Sequence, residues 1–208
     1  MYTPPAFRED DPAELRAIMR EARLATLVTA TAEGLVATPL PLFLDAGEGA
    51  FGTLYGHMAR ANPQWRLEPA GEALAILAGP DAYVTPTFYP SKREHGKVVP
   101  TWNYAAVHAY GPVEFFEDEA RLRDAVTRLT DLYERPRAEP WAVTDAPERF
   151  IEAQLRGIVG VRLPIARIEG KRKMSQNRPQ ADRDGVASGL GASDSEADRR
   201  VAALVARG

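Results

Sequence analysis

The stretch Thr101-Trp102-Asn103-Tyr104-Ala105-Ala106-Val107-His108-Ala109-Tyr110 alternates with period two. Trp102, Tyr104, Ala106, His108 and Tyr110 project to one side, and Thr101, Asn103, Ala105, Val107 and Ala109 to the other. Such a stretch is a β-strand with one small-residue face and one ring-bearing face. Downstream, Gly111-Pro112 turns the chain into a further short strand at Val113-Glu114-Phe115-Phe116. Upstream, residues 86–100 hold Pro86, Pro90, Gly96 and Pro100 among the charges Lys92, Arg93, Glu94 and Lys97, a long loop of the kind that usually carries function. Before it, residues 73–78 form a compact apolar run that Gly79-Pro80 is expected to end, with extended chain resuming at Ala82-Tyr83-Val84-Thr85.

Further out, Leu24 to Ala30, Leu35 to Leu44 and Ala50 to Met58 read as strands separated by Ala32-Glu33-Gly34 and Asp45-Ala46-Gly47-Glu48-Gly49. Pro39 and Pro41 cannot donate ladder hydrogen bonds, so the second of these strands belongs at an edge or barrel rim. Helix signals stand at Asp11-Pro12-Ala13-Glu14, at Asn62-Pro63 and at Asp145-Ala146-Pro147-Glu148. From Asp118 an apolar stripe of Leu122, Ala125, Val126, Leu129, Leu132 and Tyr133 marks the clearest helix in the chain. Ile158 to Ile168 supplies closing strands interrupted by Pro164. Beyond Gly170 the chain turns basic, with Lys171, Arg172, Lys173, Arg178 and Arg183, and Gly185 to Ser195 reads as a linker before a short helix capped at Ser193. The expected division is therefore one domain over residues 1–183, followed by a linker and short C-terminal helix over 184–208.

The sum is mainly β with peripheral helices, an antiparallel barrel rather than a βαβ sandwich. At 208 residues, with 45% hydrophobic and 26% charged residues, the chain can build its own core. Cysteine is absent, which excludes disulfides, Cys-ligated zinc, iron–sulfur clusters and thiol nucleophiles. A net charge of −3 argues against a basic footprint over the whole surface. Neither an export signal nor a stretch of ~20 apolar residues is present, so a cytoplasmic protein with no membrane partner is expected. No dinucleotide loop, Walker loop or nucleophile elbow occurs. His57, His95 and His108 show no metal-ligand spacing, and no metal is expected.

Two segments carry chemistry. Gly56-His57-Met58-Ala59-Arg60-Ala61-Asn62-Pro63 sets an imidazole and a cation before a helix start, an arrangement suited to a phosphate; the alternative is a polar strand end and a solvated arginine. Residues 83–104 gather Tyr83, Phe88, Tyr89, Trp102 and Tyr104 around Lys92, Lys97, Thr101 and Asn103, either a slot for a flat heteroaromatic ligand or a wall of ordinary core rings.

The strings Tyr83-Val84-Thr85-Pro86-Thr87-Phe88-Tyr89-Pro90-Ser91-Lys92, Gly96-Lys97-Val98-Val99-Pro100-Thr101-Trp102-Asn103-Tyr104 and Glu169-Gly170-Lys171-Arg172-Lys173-Met174-Ser175-Gln176-Asn177 resemble the PaiB family of FMN-binding negative transcriptional regulators. The resemblance runs from residue 1 to about 190 and includes Trp141-Ala142-Val143-Thr144-Asp145-Ala146-Pro147. It implies an FMN-binding split barrel of the antiparallel Greek-key type, related to the pyridoxamine-phosphate oxidases, dimeric, with flavin at the subunit interface. In that superfamily a Ser-x-Lys-type strand and an Asn-Pro helix hold the phosphate; here His57 and Arg60 stand at those places. By the same resemblance Thr101, Trp102 and Asn103 fall at the flavin edge, Lys97 at the phosphate or the N1–C2 carbonyl side, and Lys171, Lys173 and Ser175 complete the site from the partner subunit, or form a solvated basic tail. The expected function is a homodimeric flavoprotein, a flavin-dependent regulator or oxidoreductase. The alternatives are a direct DNA-binding repressor, for which no helix-turn-helix is evident, and a barrel for haem or another ligand. No residue stands out as a general acid or base.

Overall fold

In a computed structural model, which describes residues 1–207, period-two stretches become ten strands and period-3.6 stretches six helices among the described residues. In chain order these are β1 (Arg8–Glu9), α1 (Pro12–Glu21), β2 (Ala25–Thr31), β3 (Gly34–Leu40), β4 (Leu42–Asp45), β5 (Thr53–Ala59), β6 (Ala73–Val84), α2 (Ser91–Glu94), β7 (Thr101–Gly111) and β8 (Glu114–Phe116). There follow α3 (Glu119–Glu134), α4 (Glu148–Leu155), β9 (Ile158–Pro164), β10 (Arg167–Lys173), α5 (Gln180–Gly191) and α6 (Glu196–Ala206). The pairs β1–β10, β2–β3, β2–β6, β4–β5, β5–β9 and β8–β9 are all antiparallel. The chain divides into two units: the first comprises residues 1–18, 78–107 and 169 onward, the second residues 19–77 and 108–168. No described helix is long and apolar enough to cross a membrane.

In the second unit β6, β2 and β3 lie in that order, and β4, β5, β9 and β8 form a separate sheet. Strand β3 is an edge, as its prolines require: Pro39 faces Thr26 of β2, and Pro41 separates β3 from β4. One face of the four-stranded sheet is covered by α3 and α4. Its core joins Phe43 and Phe116 to Leu122, Ala125 and Leu129 of α3 and to Ile151 and Leu155 of α4. Each fully buried Leu or Phe here contributes about 1.5–3 kcal/mol. Gly160 of β9 makes room for Phe116, whose ring would stand 2.2 Å from a Cβ at that position. The stripe read from Asp118 is realised over Leu122, Ala125, Val126 and Leu129, whereas Leu132 and Tyr133 at its end are exposed; Asp118 caps α3 by accepting from Arg121 N at 2.9 Å.

In the first unit the sheet order is β1, β10, β7, β6, with Arg8 opposite Lys171 and Glu9 opposite Gly170. Strand β6 does not end at Gly79-Pro80 as the sequence suggested. The register of β2 with β6 covers Leu74 to Leu77, so Pro80 falls beyond the paired stretch, where β6 is open on its β2 side and can accommodate a residue without an N–H. Gly79 lets the chain pass close to β7, since a Cβ there would lie 3.0 Å from the Ala105 Cβ.

The expected linker at Gly185 to Ser195 is instead largely helix. Helix α5 runs to Gly191, with Val186 and Leu190 buried one turn apart. Its glycines form a groove: a Cβ on Gly185 would reach within 2.0 Å of the Phe88 carbonyl, and one on Gly189 within 2.3 Å of the Phe88 ring. Buried Asp182 then accepts from both the amide (3.1 Å) and the hydroxyl (2.7 Å) of Ser91, fastening α2 to α5. Helix α6 is capped by Ser195, which accepts from Asp198 N, while Ser193 donates to the Asp198 carboxylate. Of the segment 184–208, Gly208 lies outside the described residues.

Candidate functional site

Strand β7 decides which rings are available. Asn103, Ala105, Val107 and Ala109 are buried, so the small-residue face is the inner one, and the ring-bearing face looks outward. Trp102 is 49% exposed and Tyr83, on β6, 50% exposed. Their ring centroids are 6.0 Å apart, and the Trp102 indole N–H donates to Asp81 Oδ2 at 2.7 Å. Tyr83 and Trp102 are therefore not core rings, whereas Tyr89 is fully buried. Large aromatic surface left open to water is costly and commonly marks a place where something binds.

The basic segment runs beside these rings on β10. Lys171 and Lys173 are two residues apart and so share a face of the strand, while Arg172 turns the other way toward Glu9 and Glu14. Lys171 is 7% exposed, and its ammonium finds one oxygen, the Tyr2 carbonyl at 3.1 Å, and two ring faces, Tyr104 at 5.0 Å and Tyr2 at 5.6 Å. Lys173 Nζ donates to Thr101 Oγ1 and to the Trp102 carbonyl. Burial pushes the Lys173 ammonium below the ordinary lysine range, and the charges of Lys171 and Arg178 push in the same direction. Arg178 lies over the Tyr89 ring, 4.9 Å from its centroid. Among the described residues none of these three cations has a carboxylate partner; Glu169, earlier on the same strand face, pairs with the Met1 amino group. Like charges gathered without an acid are unfavourable until an anion joins them.

Asn103 and Ser175 stand differently from the expectation. Asn103 is fully buried on the inner face of β7, opposite in direction to Trp102, and its amide donates to Ser175 Oγ at 2.9 Å. Ser175, 3% exposed, has φ +63, the left-handed region rarely adopted by a residue other than glycine. Lys97 lies in the exposed 95–100 segment, its amide donating to His95 Nδ1 at 3.0 Å. Its ammonium has no partner among the described residues.

His57 and Arg60 belong to the second unit. Register places His57 opposite Gly160, which in turn faces Phe116, so its imidazole lies on the sheet face that α3 and α4 cover. Burial holds the ring below the ordinary histidine pKa, hence neutral, and its Nδ1 has no hydrogen-bond partner. Arg60 is engaged as a strut: Nε donates to the Arg156 carbonyl at 2.7 Å, Nη2 to the Ile158 carbonyl at 3.3 Å, and Nη1 pairs with Glu117. Asn62 caps its short helix as read, accepting from Gln64 N at 2.9 Å. Two other arginines of this unit are similarly matched, Arg162 with Glu48 and Glu114 and Arg128 with Asp45. Arg178 and Asp81 join the candidate site only through the fold, although the basic run at 171–178 already carried a signal for Arg178.

The putative FMN-binding domain family matches residues 1–167. This chain belongs to that family. It is 34% identical to the Bacillus subtilis protease synthase and sporulation protein PAI 2, over 88% of this chain and 85% of that protein. It is also 34% identical to an uncharacterised Emericella nidulans protein, over 99% of this chain and 96% of the other. Among solved structures, a conserved hypothetical protein of Mycobacterium tuberculosis superposes with TM-score 0.57 at 15% identity, covering 86% of this chain and 95% of that one. A Mycobacterium smegmatis protein described as binding FAD and haem gives TM-score 0.57 at 17% identity, over 80% and 73% of the two chains. The fold is thus the mainly antiparallel β split barrel with peripheral helices, and FMN is the cofactor of the family.

The residues present fit such a cofactor. A phosphate dianion needs several cationic or N–H donors; Lys171, Lys173 and Arg178 supply them, none of the three in a direct ion pair with a carboxylate among the described residues. A flat ring system needs exposed aromatic surface, and Tyr83 and Trp102 offer it.

Proposed function

We propose that this protein is an FMN-binding flavoprotein that works as a homodimer, in a flavin-dependent oxidoreductase or regulatory role. The reading is carried by one observation above the rest: Lys171, Lys173 and Arg178, none in a direct ion pair with a carboxylate among the described residues, on the same unit as an outward-facing Tyr83–Trp102 pair. The cations bind and orient the phosphate; the indole of Trp102, fixed by Asp81, gives the ring system an apolar wall that excludes water. Bound FMN supplies electron-transfer chemistry, and the chain's part is to hold it and set its surroundings. Exposed apolar surface on the same unit, Val99 together with the Tyr83–Trp102 pair, supports a second copy seating there.

Purification and a visible spectrum test the reading: a copurified or added flavin bound at one equivalent per chain supports it, and a haem spectrum or no flavin uptake refutes it. Sedimentation tests the dimer, which a monomer at micromolar concentration contradicts. The regulatory role has a direct form, contact with duplex DNA, for which the exposed Lys92, Arg93 and Lys97, without an ion pair among the described residues, are candidate cations. Binding whose affinity falls steeply with added salt supports that form; absence of binding at low salt removes it.

A further inference from the structure

We propose that Asn103 and Ser175 are positioning residues rather than ligands of the cofactor: together they hold a left-handed turn at the end of β10 that aims Lys173, before it, and Arg178, after it, at one phosphate group. This rests on the FMN reading above and adds to it the device that assembles the site.

Ser175 is the one non-glycine among the described residues with a positive φ. A serine stays there only where its surroundings over-determine it, and backbone strain of this kind gathers at ligand clamps. Three fixtures do so here. The Asn103 amide, itself wholly buried, donates to Ser175 Oγ at 2.9 Å. The Gln176 side chain bridges the same turn, accepting from Met174 N at 2.6 Å and donating to the Arg172 carbonyl. Arg178 N closes the turn on the Ser175 carbonyl at 3.0 Å, while Met174 is fully buried beneath it.

The consequence is geometric. An extended chain would carry residue 178 away from residue 173 by several strand rises, about 3.3 Å each. A single left-handed residue folds it back, which places the Arg178 guanidinium over Tyr89 while Lys173 stays on Thr101 and the Trp102 carbonyl. Asn103 lies on the inner face of β7, so its side chain acts on the cations through Ser175 and not by reaching the open ring-bearing face.

The test compares equilibrium affinities for FMN and riboflavin, which differ only in the phosphate, in full-length wild type, Asn103→Ala, Ser175→Ala and the double variant Asn103→Ala/Ser175→Gly. Either single variant is expected to lower the preference for FMN by about tenfold, the loss of one charge-assisted contact, with riboflavin affinity unchanged. In the double variant glycine adopts the positive φ unaided, so most of the preference returns. A merely structural role predicts that both ligands weaken together and that glycine restores neither. An Asn103→Ala protein with wild-type preference, or a double variant without recovery, overturns the positioning role; should Asn103→Ala not fold, Ser175→Ala alone decides it by the same ratio. A wild type with no preference for FMN sinks the phosphate reading itself and is thereby told apart from failure of the positioning role.

Discussion

Replacing Lys173 by methionine keeps the length of the side chain and removes its charge. In the folded protein the Lys173 ammonium donates to Thr101 Oγ1 and the Trp102 carbonyl, and is depressed in pKa by burial first and by Lys171 and Arg178 next. A lysine whose folded pKa lies below its ordinary 10.5 binds fewer protons folded than unfolded in the interval between the two values. Stability of the ligand-free protein therefore rises as pH climbs through that interval, and at neutral pH the whole cost of holding the charge is present. Methionine removes this cost together with two hydrogen bonds, so ligand-free stability should change by no more than about 1 kcal/mol. The phosphate contact is another matter: a charge-assisted bond contributes about 1.5–3 kcal/mol, which is roughly tenfold to 150-fold in affinity. Flavin fluorescence titration should then show FMN weakened by that factor and riboflavin unchanged, with the methionine variant also losing the rise in stability toward high pH. Equal weakening of both ligands, or unaltered FMN binding, would refute the role given to Lys173.

Two further substitutions separate scaffold from site. Arg60→Ala cuts the strut to the Arg156 and Ile158 carbonyls and to Glu117, and should lower stability by about 1–2 kcal/mol in urea unfolding while leaving the FMN-to-riboflavin ratio intact; a selective loss of FMN would return Arg60 to the phosphate. Gly185→Ala drives a methyl into the Phe88 carbonyl, which a Cβ would approach to 2.0 Å, and should cost about 1–3 kcal/mol by thermal unfolding, against which an unshifted melting temperature would show that α5 does not dock there.

Much of the fold is written in local periodicity. The alternation at 101–110, the proline edge at Pro39, the Asn62 cap and the stripe from Leu122 to Leu129 are each set by a side chain's relation to its own backbone, which sequence displays directly. What stayed hidden depends on partners distant along the chain. Gly185 and Gly189 look like linker residues until Phe88 is seen lying against them. Arg60 looks like a free cation until Glu117 and two carbonyls close around it. Strand β6 continues through Pro80 because its neighbour β2 has already stopped. The candidate site was half legible: the lysines at 171 and 173 and the rings at 83 and 102 were in view, but strand alternation sets Asn103 on the face away from Trp102, and its hydrogen bond to the left-handed Ser175 depends on a residue 72 positions away along the chain.

The most direct measurement is the pair of dissociation constants of the wild-type protein for FMN and riboflavin, at low and at raised ionic strength. Two or more charge-assisted phosphate contacts predict FMN tighter by at least about 100-fold at low salt, with the gap narrowing as salt screens the exposed part of the cluster. Equal constants for the two ligands at low salt would contradict an anion site at Lys171, Lys173 and Arg178.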